Sequence, residues 1–210
     1  MRRDVGDPHF PIWLLGDSNP ERWQDVLDTP LDPRHPARHN IWTPVLDEIQ
    51  DKVFRDRRCR LDTSRLYIRN ALGDPSGKLS ASGVEWGEPA KGCVAEFSDL
   101  IVRYAPPVLL CFGAFAFEFA RRALGEKPER AYSQWGARNL GVEFRRRIQN
   151  FGVHVTNAFP LLHVSIARGN FVESHDYFCD QRGANYFAHV GHALAGVFMQ
   201  HRNTLRIWIT

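Results

Sequence analysis

The sequence predicts an α/β fold, a three-layer α/β/α sandwich with a central, mostly parallel four-stranded sheet, and three observations predict it. Short unbroken apolar runs recur along the chain, they alternate with segments of helical periodicity, and each run leads into polar or glycine residues. A strand covered by helices on both faces reads as a continuous apolar run, and the helices between such strands supply the crossovers that parallel pairing needs.

The first candidate strand is 11–16 (PIWLLG), the second 66–71 (LYIRNA), the third 108–112 (VLLCF) and the fourth 153–159 (VHVTNAF). Between the first two, Thr43-Pro44 reads as a helix start, because proline's fixed φ suits the first turn and its missing N–H costs nothing there. Val45, Leu46, Ile49 and Val53 then follow at helical spacing. The same periodicity marks helices through Val94, Phe97, Leu100, Ile101 and Tyr104, through Phe115, Phe119 and Ala123, and through Tyr186, Val190, Ala193, Leu194 and Val197. Segments 73–92 and 125–136 read as surface loops. Segments 143–151 and 205–210 read as added edge strands, paired with each other. No repeat or linker is visible, and 210 residues that are 43% hydrophobic are enough for one core, so 1–210 is read as a single domain.

Composition excludes several function classes. The opening MRRDVGDPHF is polar and the apolar run 106–116 is too short to cross a bilayer, so a soluble cytoplasmic protein with no membrane partner is expected. Cys59, Cys93, Cys111 and Cys179 lie far apart with no CxxC pair, which argues for reduced thiols and against a metal site. The stretch GDPSGK at 73–78 lacks Walker spacing and no GxGxxG follows the first strand, so no cofactor is expected. Net charge is only +3, yet acids outnumber bases in the first half and bases outnumber acids in the second, consistent with a basic face on the C-terminal half.

Ligands of open α/β sheets sit beyond the carboxyl ends of the strands. The first run ends in Gly16-Asp17-Ser18-Asn19-Pro20, the second in Asn70 and the third in Gly113, while the fourth leads into His163-Val164-Ser165. Singly these are bland: an Asn-Pro is usually a turn, a lone His is more often a backbone-satisfied histidine, and Trp42 at a helix start is more often core than stacking platform. As an ordered set they put four polar signals on one rim.

In that order, SNP at 18–20, YIRNA at 67–71, LLCFGAFA at 109–116 and HVSIARGNF at 163–171 resemble the motifs of the uracil-DNA glycosylase superfamily. HPARHNIW at 35–42 looks like the Asn-x-x-Trp region of its mismatch-specific and hypoxanthine branches, whose first motif also carries Asn-Pro, as Asn19-Pro20 does. The resemblance implies a monomeric, metal-independent enzyme that flips a base out of DNA and hydrolyses its N-glycosidic bond, leaving an abasic site. It gives catalytic roles to Asn19, which would orient the attacking water, and to His163, which would donate a hydrogen bond to the departing base. Asn70 suits recognition of the base edge, with Asp17 and Trp42 beside it. Ser165 would bind a flanking phosphate, and Ile166 or Arg168 would fill the gap in the duplex. A monofunctional enzyme is expected because no lysine is read as standing beside the candidate site to form a Schiff base.

Three departures from the family pattern bear on the substrate. Val164 replaces the proline of His-Pro-Ser, Asp17 stands where a small residue is usual, and Leu31, Asp32, Pro33 and Arg34 occupy the stretch where a base-stacking aromatic is expected. The missing aromatic and an added segment at 125–150 favour a hypermodified pyrimidine of phage DNA, which would make the protein an antiviral defence glycosylase. Repair of uracil, hypoxanthine or mismatched bases is the alternative. A non-catalytic DNA-binding module of the same fold is another, and a hydrolase of free nucleosides a more distant one.

Overall fold

The computed structural model describes residues 4–18, 42–73, 75–167 and 172–209. Asn19, Arg168 and residues 31–34 lie outside the described residues, as does the side chain of Ser165. The chain is α/β. Its main sheet contains β1 (Asp4–Val5), β2 (Ile12–Gly16), β4 (Tyr67–Asn70), β5 (Val108–Phe112) and β6 (Asn157–Leu161), in the order β1-β4-β2-β5-β6. Every residue of β2, β4, β5 and β6 is buried, as expected of strands covered on both faces.

The sheet corrects the four-stranded expectation. Four strands are parallel, but Asp4 and Val5 pair antiparallel with Arg69 and Ile68, making the sheet mixed and five-stranded. A two-residue edge strand within a polar leader carries no apolar run to betray it; its anchor is the Tyr67 hydroxyl, which donates to the Asp4 carboxylate at 2.6 Å. The fourth strand starts at Asn157 rather than at residue 153. The Asn157 amide donates to the carbonyls of Pro107, Gly152 and Val155 and accepts from the Gly152 N–H, which folds the preceding residues into a turn.

Helices flank the sheet in a way that fits three layers. α1 (Thr43–Arg57) buries Val45, Leu46, Ile49 and Val53 and packs on α7 (Tyr186–Gln200). The Asn185 side chain starts α7 by accepting from the N–H groups of Phe187 and Ala188. α2 (Glu88–Tyr104) packs on α3 (Ala114–Ala123). Its first turn, with Pro89, falls inside the segment read as a loop, which also holds a 3-10 turn at Pro75–Ala81.

The expected edge strands at 143–151 and 205–210 do not pair. Most of the first is helical, in α4 (Ala137–Gln149), where Leu140, Gly141, Phe144 and Arg147 form one buried stripe and Glu143 binds Arg146 and Arg147 one turn on. The second supplies β7 (Trp208–Ile209), which pairs antiparallel with β3 (Arg60–Leu61) in a separate two-stranded sheet. The 125–150 segment thus holds a helix packed on β6 and on α6 (Glu173–Cys179), part of the β5-to-β6 crossover. Its value as a sign of an unusual substrate falls accordingly.

All four cysteines are free thiols. No helix among the described residues is long and apolar enough to cross a membrane.

Candidate functional site

The connections fix where a site can form. From β2 the chain crosses to β4 on one side, then returns to β5 on the other, so the crevice beyond the carboxyl ends of β2 and β5 is the topological switch point. The strand ends are in register: Gly16 lies opposite Asn70, and Phe112 opposite Leu161. Backbone pairing runs past the strands, with Ala71 N–H donating to Gly16 O at 2.9 Å and Leu72 N–H to Asp17 O at 3.0 Å. Asp17 is therefore held at the mouth of the crevice by main-chain bonds.

Two glycines let side chains converge there. The Asn70 side-chain oxygen fills the space where a β-carbon on Gly16 would stand, with the Trp42 ring behind it. Gly113 has φ +104°, in a region that side-chain-bearing residues rarely enter, and a β-carbon there would lie 3.2 Å from that of His163. Asn70 is 8% exposed, and Trp42 is 4% exposed and edge-on to Phe112 at 4.8 Å between ring centres. Trp42 is thus a wall of the crevice, largely enclosed in the core.

The loop carrying His163 is built from inside. The Leu162 N–H donates to the buried Tyr186 hydroxyl at 2.8 Å, and the His163 carbonyl accepts from Ile166 and Ala167, both at 2.9 Å, in the short helix α5 (Val164–Ala167). The His175 ring nitrogen lies 2.8 Å from the Ala167 carbonyl. Ile166 packs half-buried against the core, which leaves little of it for insertion into a duplex.

Sequence reasoning missed Lys78. It lies in the 3-10 turn after β4, and its ammonium is hydrogen-bonded to Asp17 Oδ2. The ammonium also sits over the Phe115 ring at 5.1 Å and the Tyr132 ring at 5.6 Å, contacts that hold it over the crevice. The expectation that no lysine stands beside the site is therefore corrected, and with it the argument it carried for a monofunctional enzyme. A residue eight positions past Asn70 in a Gly/Pro-rich loop gives no sequence sign of its return to the rim.

Electrostatics tie the cluster together. Burial pushes the His163 imidazole below its ordinary range; the Asp17 carboxylate opposes this and the Lys78 ammonium reinforces it. The other Asp17 oxygen, Oδ1, is buried with no hydrogen-bond partner among the described residues. A buried carboxylate oxygen left unpaired is costly, so it marks a place where a donor belongs.

The structure thus gathers Asp17, Asn70, His163 and Lys78 at one rim, with Trp42 walling it. Among the described residues, no three His, Cys, Asp or Glu side chains cluster as metal ligands would. Chemically, the rim offers an amide with both donor and acceptor, a carboxylate oxygen seeking a donor, an imidazole favoured in its neutral form, and an ammonium. Comparison with protein-family models and with curated proteins returns no match.

Proposed function

We propose that the chain is a metal-independent DNA glycosylase of the uracil-DNA glycosylase type, which extrudes a base from DNA and hydrolyses its N-glycosidic bond. The observation that carries this reading is the convergence of Asp17, Asn70 and His163 on the β2/β5 switch point. In the proposed reaction the C1′–N bond breaks, its electron pair stays on the base, and water adds to the oxocarbenium sugar with loss of a proton. His163, favoured in its neutral form, donates an N–H to the oxygen where the base gathers negative charge. Asn19, two residues beyond Asp17, orients the water. Ser165 and Arg168 are assigned to the DNA backbone and the vacated stack. The partner is DNA, the working unit a monomer and the compartment the cytoplasm.

The substrate follows from Asp17. Its unpartnered oxygen asks for a donor on the flipped base, such as the exocyclic amine of cytosine or a hydroxyl on an appended sugar. Plain uracil offers only its N3–H. A hypermodified cytosine of phage DNA, and hence a defence role, is the reading this supports over repair of uracil or hypoxanthine.

The test is a base-release screen on oligonucleotides carrying uracil, hypoxanthine, cytosine, hydroxymethylcytosine and its glucosylated form, read as alkali-labile sites. Release from the modified cytosines, abolished in Asn19→Ala and His163→Ala, is expected. Salt-sensitive DNA binding with no release from any base would replace the enzyme with a binding module.

A further inference from the structure

We propose that Lys78 is a nucleophile that captures the abasic sugar as a Schiff base and cleaves the strand, a β-lyase activity; the glycosylase reading supplies the abasic site on which this rests. The chain has four lysines. Lys52, Lys91 and Lys127 form ion pairs with acids two to four residues away, Asp56, Glu88 and Glu129. Lys78 instead pairs across the fold with Asp17 at the end of β2, and its charge acts on His163. An amine placed where C1′ is generated meets the ring-opened aldehyde at high effective concentration.

The Asp17 carboxylate, hydrogen-bonded to Nζ, accepts a proton from the ammonium, and the freed lone pair attacks C1′ of the aldehyde. Asp17 returns that proton to the carbinolamine hydroxyl, which leaves as water to give an iminium, and the iminium acidifies the C2′ hydrogens. Water removes one C2′ proton, the C2′–H electrons form the C2′–C3′ double bond, and the C3′–O bond breaks with its electrons leaving on the phosphate of the downstream fragment. Water then hydrolyses the conjugated iminium, returning the Lys78 ammonium, paired again with the Asp17 carboxylate, and an unsaturated aldehyde on the upstream fragment. Loss of the ammonium forfeits its attraction to the Phe115 and Tyr132 rings, 5.1 and 5.6 Å from Nζ.

The experiment uses the full chain and a duplex with a preformed abasic site, so its outcome does not depend on which base the enzyme removes. Borohydride present during incubation reduces an iminium to a stable secondary amine. The expected result is a protein–DNA adduct that peptide mass spectrometry maps to Lys78, a nicked strand when borohydride is omitted, and loss of both to background in Lys78→Arg. The wild-type mapping stands even if that variant folds poorly. No adduct, or an adduct at the terminal amine or another lysine, overturns the proposal. The base-release screen judges the glycosylase reading separately: release without trapping sinks the lyase alone, and trapping at Lys78 without release on any base sinks the glycosylase alone.

Discussion

Asn70 places its side-chain oxygen in the space that a β-carbon on Gly16 would occupy, one strand away and in register. The two positions are coupled: the amide reaches the crevice only because its neighbour has no side chain. Gly16→Ala should force Asn70 aside or press on Trp42, whose nearest ring carbon would be 3.3 Å away. Overpacking of this kind costs roughly 1–3 kcal/mol. A lower urea midpoint and weaker substrate binding are expected, and wild-type behaviour in both would show that the amide is free to move without consequence.

Gly113 makes a sharper case. Its φ of +104° with ψ of 166° lies in a region reserved almost wholly for glycine, and the added carbon would press on His163. Gly113→Ala should lose about 1–3 kcal/mol of stability from backbone strain. Under the proposed glycosylase function it should also lower base release by more than the unfolded fraction explains, because the imidazole is displaced. Thermal melts alongside single-turnover rates separate the two effects; a drop in rate that tracks unfolding alone would remove Gly113 from the site.

The legible parts of this molecule are those with a period or an uninterrupted apolar run. VLLCF matched its strand residue for residue, and the stripe Val45, Leu46, Ile49 and Val53 marked α1, because full burial leaves a compositional trace. β1 left none, being two residues held by a tyrosine 63 positions away. Segment 143–151 is mostly helix rather than edge strand because Leu140 and Phe144 repeat at helical spacing with Glu143 paired to Arg147, a period that starts before the segment does. Asp17, Asn70 and His163 were found because each ends or follows an apolar run. Lys78 was not, because tertiary folding alone brings its turn back over β2.

The charges around His163 predict opposite responses from two variants. Lys78→Met removes a repelling cation, so the imidazole should titrate at higher pH; Asp17→Asn removes an attracting anion, so it should titrate lower. Histidine NMR titrations read both directly, and shifts of the reverse sign would place these groups elsewhere. For stability, the folded-state value lies below the ordinary 6.5, so folding favours the neutral ring. The stabilisation is complete above that pH and is lost as pH falls through the folded value. His189, lowered by burial and then by Arg145, acts in the same direction. The melting temperature should therefore decline on acidification below about pH 6.5, and His163→Gln should flatten that decline.

Glu118 anchors the segment that carries Tyr132, on the far wall of the site. It is fully buried, yet its two oxygens accept from Arg121 Nη1 at 2.8 Å, Arg122 Nε at 3.1 Å, the Arg130 N–H at 2.9 Å and Trp135 Nε1 at 2.8 Å. A carboxylate has about four acceptor positions, so this one is saturated, and its desolvation is offset by two guanidinium groups. Arg122 continues the network to Glu129 and to the carbonyls of Val84 and Arg130. The loop so fixed carries Tyr132, one of the rings beneath the Lys78 ammonium. Glu118→Ala leaves buried cations and an indole N–H without their acceptor, a change that costs about 3–5 kcal/mol. Glu118→Gln keeps the shape and part of the accepting capacity and should lose less. Chemical denaturation gives the ordering, and equal stability of the two variants would mean that side-chain volume, not charge, is what the network needs. In the folded fraction of Glu118→Ala, trapping of an abasic site at Lys78 should also weaken, because Tyr132 no longer holds the amine over Asp17.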